Sequence, residues 1–121
     1  MNLRMKEDRN MHNYIHPGNT LSLSAPYEVN SGDCVQIGAI FGVAKSWASL
    51  GETVEVVTTG VFDVRKCPKQ IWEIGEKLYW DNKDRKITNI PTGNCFVGIA
   101  IEPGSGQSAE LGRIKIFGLA Q

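Results

Sequence analysis

Gly, Pro and Asp cut this chain into short runs in which apolar and polar residues alternate, and that two-residue period restricts it to a β-rich fold. In Thr20-Leu21-Ser22-Leu23-Ser24 the leucines share one face and the hydroxyls the other, as a half-buried strand requires. The alternation recurs in Cys34-Val35-Gln36-Ile37, Thr53-Val54-Glu55-Val56, Lys77-Leu78-Tyr79-Trp80 and Arg113-Ile114-Lys115-Ile116, each with a glycine within the three preceding residues. The thirteen glycines among 121 residues exceed the usual share of about 7% and sit singly between apolar runs, which means many turns. Strands of this length with turn signals about every ten residues predict an all-β fold, a small Greek-key-like barrel or two-sheet sandwich.

The organisation along the chain follows from the same punctuation. Residues 1–10 are polar, charged and aperiodic, and are expected to be a disordered N-terminal extension. Residues 11–19 form an N-terminal arm ending in the turn chemistry of His16-Pro17-Gly18-Asn19, and 20–121 form a single β domain, a length that supports one modest core. Gly60 interrupts the β-branched stretch from Thr53 to Val64, which predicts a bulge or bend that lets one ribbon serve two sheets. Pro68-Lys69-Gln70-Ile71-Trp72-Glu73 is the one helical candidate, long enough for a turn or two at most.

The sequence also echoes itself. Ser31-Gly32-Asp33-Cys34-Val35-Gln36-Ile37, Phe41-Gly42-Val43-Ala44 and Val54-Glu55-Val56 are matched in order by Ile74-Gly75-Glu76-Lys77-Leu78-Tyr79-Trp80, Val97-Gly98-Ile99-Ala100 and Ile114-Lys115-Ile116. Each copy runs from a Gly-acid turn through a strand, then a strand with Gly before an aliphatic and Ala, then a loop and a last alternating strand. Two related β units sharing one core are the expected result.

Chemistry is hard to find. The two histidines, His12 and His16, lie at the N-terminal edge, and no serine sits in a GxSxG elbow, so no nucleophile has a base at hand. Asp81-Asn82-Lys83-Asp84-Arg85-Lys86 reads as a solvated hairpin connection, although Asp81 with Asp84, or Glu73 with Glu76, are the nearest carboxylate pairs. Gly104-Ser105-Gly106 leads to a strand and lacks Gly-Lys-Ser, which makes it a flexible connection and not a phosphate cradle. Cys34, Cys67 and Cys95 are isolated and odd in number, without CxxC spacing, and read as reduced small apolar residues. No catalytic residue, cofactor or metal site is therefore expected.

Thirteen Lys plus Arg balance thirteen Asp plus Glu, leaving no long-range field to draw phosphates or anionic lipid. Apolar stretches such as Ala39-Ile40-Phe41-Gly42-Val43-Ala44 are far too short for a bilayer span, and the opening residues lack the hydrophobic core of a secretory signal, so a soluble cytoplasmic product is expected. Arg65, Lys66 and Lys69, with Trp72 nearby, form a small basic cluster that fits an acidic patch on another protein better than a nucleobase. Trp47 and Leu50 stand in a small-residue loop, where Trp47 either anchors an interface or folds back over a barrel mouth. Trp80 continues the Leu78 face and reads as core. Trp47, Trp72 and Tyr79 would be the platform of a carbohydrate-binding accessory domain.

Three segments carry a resemblance: Pro17-Gly18-Asn19-Thr20-Leu21-Ser22-Leu23-Ser24-Ala25-Pro26, Ser31-Gly32-Asp33-Cys34-Val35-Gln36-Ile37-Gly38 and Ile40-Phe41-Gly42-Val43-Ala44. With Gly60-Val61-Phe62-Asp63, Gly75-Glu76-Lys77-Leu78-Tyr79-Trp80-Asp81, Gly98-Ile99-Ala100 and Gly112-Arg113-Ile114-Lys115-Ile116, the chain resembles the small capsid cement or decoration proteins of tailed bacteriophages and prophages, over roughly residues 11 to 118. The resemblance implies a non-enzymatic structural protein with no cofactor that binds the outer face of the major capsid lattice and reinforces it. It also implies a homo-oligomer, trimer favoured, on the virion capsid surface after a stay in the host cytoplasm, touching neither nucleic acid nor membrane directly. Family members typically begin at the position of Met11. On this reading Tyr14, Ile15 and Pro17 belong to a capsid-contacting arm, with Trp47 and Leu50 as further capsid or oligomer contacts. An accessory carbohydrate- or protein-binding β domain and a prophage-encoded nucleic-acid-associated enzyme are the alternatives.

Overall fold

The computed structural model describes residues 11–102 and 110–121, so the expectations for residues 1–10 and for the Gly104 loop lie outside the described residues. Within these residues nine strands form in two antiparallel sheets, with no helix. The first sheet takes β1 (Thr20–Ser24), β2 (Cys34–Ile37), β3 (Ile40–Ala44) and β4 (Thr53–Val57) in the order β1-β4-β3-β2. The second takes β5 (Gly60–Arg65), β6 (Lys77–Asp81), β7 (Lys86–Thr88), β8 (Cys95–Ala100) and β9 (Leu111–Ile116) in the order β5-β9-β8-β6-β7. In each, three antiparallel strands follow one another and the strand that precedes them returns beside the last, which is a Greek key. The strand β7 is an addition within the β6 to β8 connection of the second unit.

The duplication read from the sequence extends to individual backbone bonds. Gly32 N donates to Ala44 O and Ala44 N to Asp33 O; Gly75 N donates to Ala100 O and Ala100 N to Glu76 O. The amide of Asn30 is capped by the Asp33 carboxylate and that of Glu73 by Glu76. Val35 faces Gly42 across β2 and β3, as Leu78 faces Gly98 across β6 and β8. The Gly-acid turns have the same cause in both copies, since Gly32 and Gly75 adopt φ of 91° and 86°, where a side chain is strained.

The last matched strand needs a correction. Ala44 pairs Val56 and Ala100 pairs Ile114, so Val54-Glu55-Val56 corresponds to Gly112-Arg113-Ile114 and not to Ile114-Lys115-Ile116. The two-residue shift has a packing reason. Val29 and Trp72 occupy the same place before the two turns, and both are fully buried. In the first unit Val29 packs in one cluster with Val54, whereas in the second the larger Trp72 ring lies on Gly112, where an added Cβ would come within 2.8 Å of ring carbons. Two medium side chains have become one large and one absent, which conserves core volume.

The helical candidate is likewise not a helix. Residues 68–69 make a turn and the chain then runs irregularly, because Trp72 must reach the core. Gln70 holds that course: its Oε1 accepts from Trp72 Nε1 (3.3 Å) and Asn89 N (2.8 Å), and its Nε2 donates to Thr88 Oγ1 (2.6 Å). Leu78 and Trp80 are buried beside Phe41 of the first sheet, with the Phe41 and Trp80 rings 5.5 Å apart, so the main cluster joins both units. Val29, Val35, Val54 and Val56 belong to a second cluster within the first unit, two clusters where one shared core was expected.

Gly60 stands where the chain leaves the first sheet and enters the second. Its φ of 132° makes the bend expected there, in a region that residues with a side chain rarely adopt. Beyond β9, Phe41 N donates to Gly118 O (3.0 Å), Ala120 N to Ala39 O (2.8 Å), and Gln121 exchanges two backbone bonds with Phe96. The C-terminal residues thus strap the second sheet to the β2-β3 hairpin. At the other end, the Arg85 guanidinium lies 3.6 Å from the Tyr27 ring centroid, and Tyr27 donates its hydroxyl hydrogen to Cys34 O (3.0 Å).

Candidate functional site

The arm is held at its root and open along its length. Thr58, buried just past β4, donates its hydroxyl hydrogen to the Gly18 and Asn19 carbonyls (3.0 and 3.1 Å), and Thr58 N donates to Asn19 O. Gly18, at φ 77°, donates its amide to His16 Nδ1 (2.9 Å), a tight turn next to the fixed φ of Pro17. Before that turn the chain is exposed. Tyr14 and Pro17 face solvent, and Ile15 is 82% accessible. The arm enters β1, an edge strand of the first sheet, so it continues a line of backbone donors and acceptors that is unpaired on one side.

The Trp47 loop is a second, separate feature. Its turn is rigid: Glu52 accepts from Ser49 N (2.9 Å) and from the Ser49 hydroxyl, Glu52 N donates to Ser49 O, and Gly51 N to Ala25 O. These Ser49 bonds hold the Glu52 carboxyl below the usual carboxylate range. Ala48 is buried and bridged to Val29, which turns its neighbour Trp47 outward to 56% exposure, with Leu50 exposed as well. Of the two readings of Trp47, the one in which it folds back over a barrel mouth is set aside.

The two features do not meet. Thr20 pairs Val57 and Ser24 pairs Thr53, so the arm lies at one end of β1 and β4 and the Trp47 loop at the other. Five residues of strand separate them by about 16 Å. At the arm's end the sequence reading missed Val61, Phe117 and Leu119, all exposed. Phe117 stacks on Phe96 (6.2 Å), which meets the edge of Tyr79 (6.0 Å). A signal was available, since the alternation Arg113-Ile114-Lys115-Ile116 puts Phe117 on the face of the charged residues.

The catalytic candidates resolve into turns. Asp81 Oδ1 accepts from Lys83 N and Asp84 N (3.0 Å each) and closes the β6-β7 hairpin, and Glu76 caps Glu73. Cys34 is buried, and that burial, with Asp33 adding to it, pushes its thiol up to about 12, so it is no thiolate nucleophile at neutral pH. Among the described residues no group of His, Cys, Asp and Glu could hold a metal ion. Trp72 is 0% exposed and cannot join Trp47 and Tyr79 in an open sugar-binding platform or stack on a base.

A family model described as phage cement protein matches residues 15–116. The chain belongs to the phage cement protein family. The match begins in the arm at Ile15 and ends at the last residue of β9, so it takes in both Greek keys and leaves out the C-terminal strap. No curated protein and no solved structure matches the chain. Membership in the cement protein family gives the chain a structural role in a phage capsid, in association with capsid proteins, and places it with a structural, non-enzymatic kind of protein.

Proposed function

We propose that this cement protein decorates the outer face of the major capsid lattice and reinforces the expanded shell without catalysing a reaction. The reading rests on the family match, and the anchored, exposed arm is the physical feature that supports it most. A cement stabilises a shell by binding the assembled lattice and not the dissociated subunit, which is ordinary ligand linkage. Tyr14 and Ile15, exposed just before the stiff Pro17 and the Gly18 turn, are suited to strand addition on a neighbouring chain, because a segment restrained at its root loses less entropy on docking. The Trp47 and Leu50 loop, at the opposite end of the first sheet, is suited to a second contact. One copy could then bridge two neighbours, and in a trimer each further arm would bind at high effective concentration. The product would stay in the host cytoplasm until the shell expands and would touch neither nucleic acid nor membrane.

The double variant Tyr14→Ala with Ile15→Ser is expected to keep the melting temperature of the isolated protein, since neither side chain is buried in it. It is expected to lose at least about tenfold in binding to expanded capsids in a sedimentation assay, as truncated anchors do at interfaces. Equal retention of variant and parent on capsids would remove the arm from the contact and leave the Trp47 loop as the alternative.

A further inference from the structure

Lys66 is a charged residue at a core position. Its amide donates to Glu110 O, as the amide of Ala25 donates to Glu52 O, so the two residues hold the same place in the two Greek keys. In the first unit that place is a buried alanine, and in the second it is a lysine only 2% exposed. The fold therefore does not require a long cationic side chain there. Burying an ammonium is costly unless partners surround it, and among the described residues its partners are few: Nζ donates to Cys67 O (3.2 Å) and lies 5.8 Å from the Trp72 ring centroid.

Lys66 lines a recess of about 340 Å³ together with Arg65, Lys86, Glu110 and the apolar Pro68 and Leu111. Three cations face one carboxylate, and no ion pair within 4 Å joins Glu110 or any other carboxylate to them among the described residues. Arg113 is the contrast, closed between Asp63 (2.9 Å) and Glu102 (2.7 Å). The basic cluster is thus not the one read from the sequence. Strand β7 brings Lys86 in, Lys69 is not part of the lining, and Trp72 lies beneath Lys66, closed to any base.

We propose that this recess receives an acidic side chain of the capsid protein, an inference that rests on the capsid-binding reading above. A carboxylate seated there would complete the coordination of the Lys66 ammonium and pair with Arg65 and Lys86 in a partly desolvated site, where charge-assisted bonds are strong. Pro68 and Leu111 in the lining, and the burial of the Trp72 ring, favour a protein side chain over a single nucleic-acid strand, which binds by stacking its bases on exposed aromatic rings.

The test compares the parent, Lys66→Met and the double variant Arg65→Glu with Lys86→Glu for sedimentation with the phage's expanded capsids. Arg65 and Lys86 lie outside the buried core, so the double variant is expected to melt with the parent even if Lys66→Met disturbs packing. Both variants are expected to bind at least about tenfold more weakly, and parent binding is expected to fall as salt rises from about 0.05 to 0.3 M. Binding of the folded double variant within about twofold of the parent would overturn the recess while leaving the capsid reading intact. A parent that does not sediment with capsids would overturn both. Binding of a short single-stranded DNA oligonucleotide by the parent, lost in the double variant, would reassign the recess to nucleic acid and overturn the proposal.

Discussion

Trp72→Ala is expected to cost about 3 to 5 kcal/mol, the range for removing a fully buried aromatic side chain, and so most of the stability of a domain this size. The ring is completely buried, lies on Gly112 and beneath Lys66, and its indole nitrogen donates to Gln70. Nothing near it can collapse easily, because Gly112 has no side chain to fill the space. The first unit shows what would fill it. Trp72→Val combined with Gly112→Val recreates the Val29 and Val54 pair, so the double variant is expected to be more stable than Trp72→Val alone. Gly112→Val in the parent is expected to be destabilising, since its side chain would collide with the ring. Urea denaturation of the four proteins is expected to give a favourable coupling of about 2 to 3 kcal/mol. Additive effects would show that the two units do not share this packing solution.

The second large effect concerns Gly42 and Gly98, which hold equivalent places. A Cβ at Gly42 would stand 2.6 Å from the Val57 carbonyl oxygen, and one at Gly98 would press on the Lys115 carbonyl and come within 2.9 Å of the Ile114 side chain. The Val56 and Ile114 side chains also stand in the way, but the decisive obstacles are the two carbonyl groups, backbone atoms in paired strands that cannot swing aside as a side chain does. Gly98→Val and Gly42→Val are each expected to lose about 3 kcal/mol or more despite valine's strand propensity. Thermal melts within a degree or two of the parent would mean that the neighbouring strands separate freely at these points, against the close packing described.

Much of this architecture was legible in the chain, because period-two alternation and single glycines report strand faces and turns directly. The Gly-acid turns, the Gly42 and Gly98 strands and the Gly60 bend were each read at the positions they occupy. The register of β9 was not, because Ile114-Lys115-Ile116 resembles Val54-Glu55-Val56 more than Gly112-Arg113-Ile114 does, and only the Trp72 ring explains the glycine. Trp72 was weighed as an exposed ring only in the base-stacking and sugar-platform alternatives, and its burial was not foreseen, since local sequence contains no record of which distant strand leaves room for a ring. Lys66 was more accessible to reasoning: it continues the Phe62 and Val64 face of β5, so alternation alone places it inward. Lys86, the third cation of the recess, arrives through the pairing of β7 with β6 and the bridge between Lys66 and Ile87, which no local pattern encodes. The opposite placement of the arm and the Trp47 loop follows only once the pairing of β1 with β4 is known.

On the proposed function, the protein stabilises an assembled shell by binding it in preference to free capsid subunits. Scanning calorimetry of expanded capsids, with the cement protein added stepwise to saturation, tests this most directly. The melting temperature of the shell is expected to rise with added protein as the logarithmic linkage requires once sites are filled, while free capsid subunits retain no cement on sedimentation. A shell melting temperature unchanged at saturating protein, or equal binding to dissociated subunits, would contradict it.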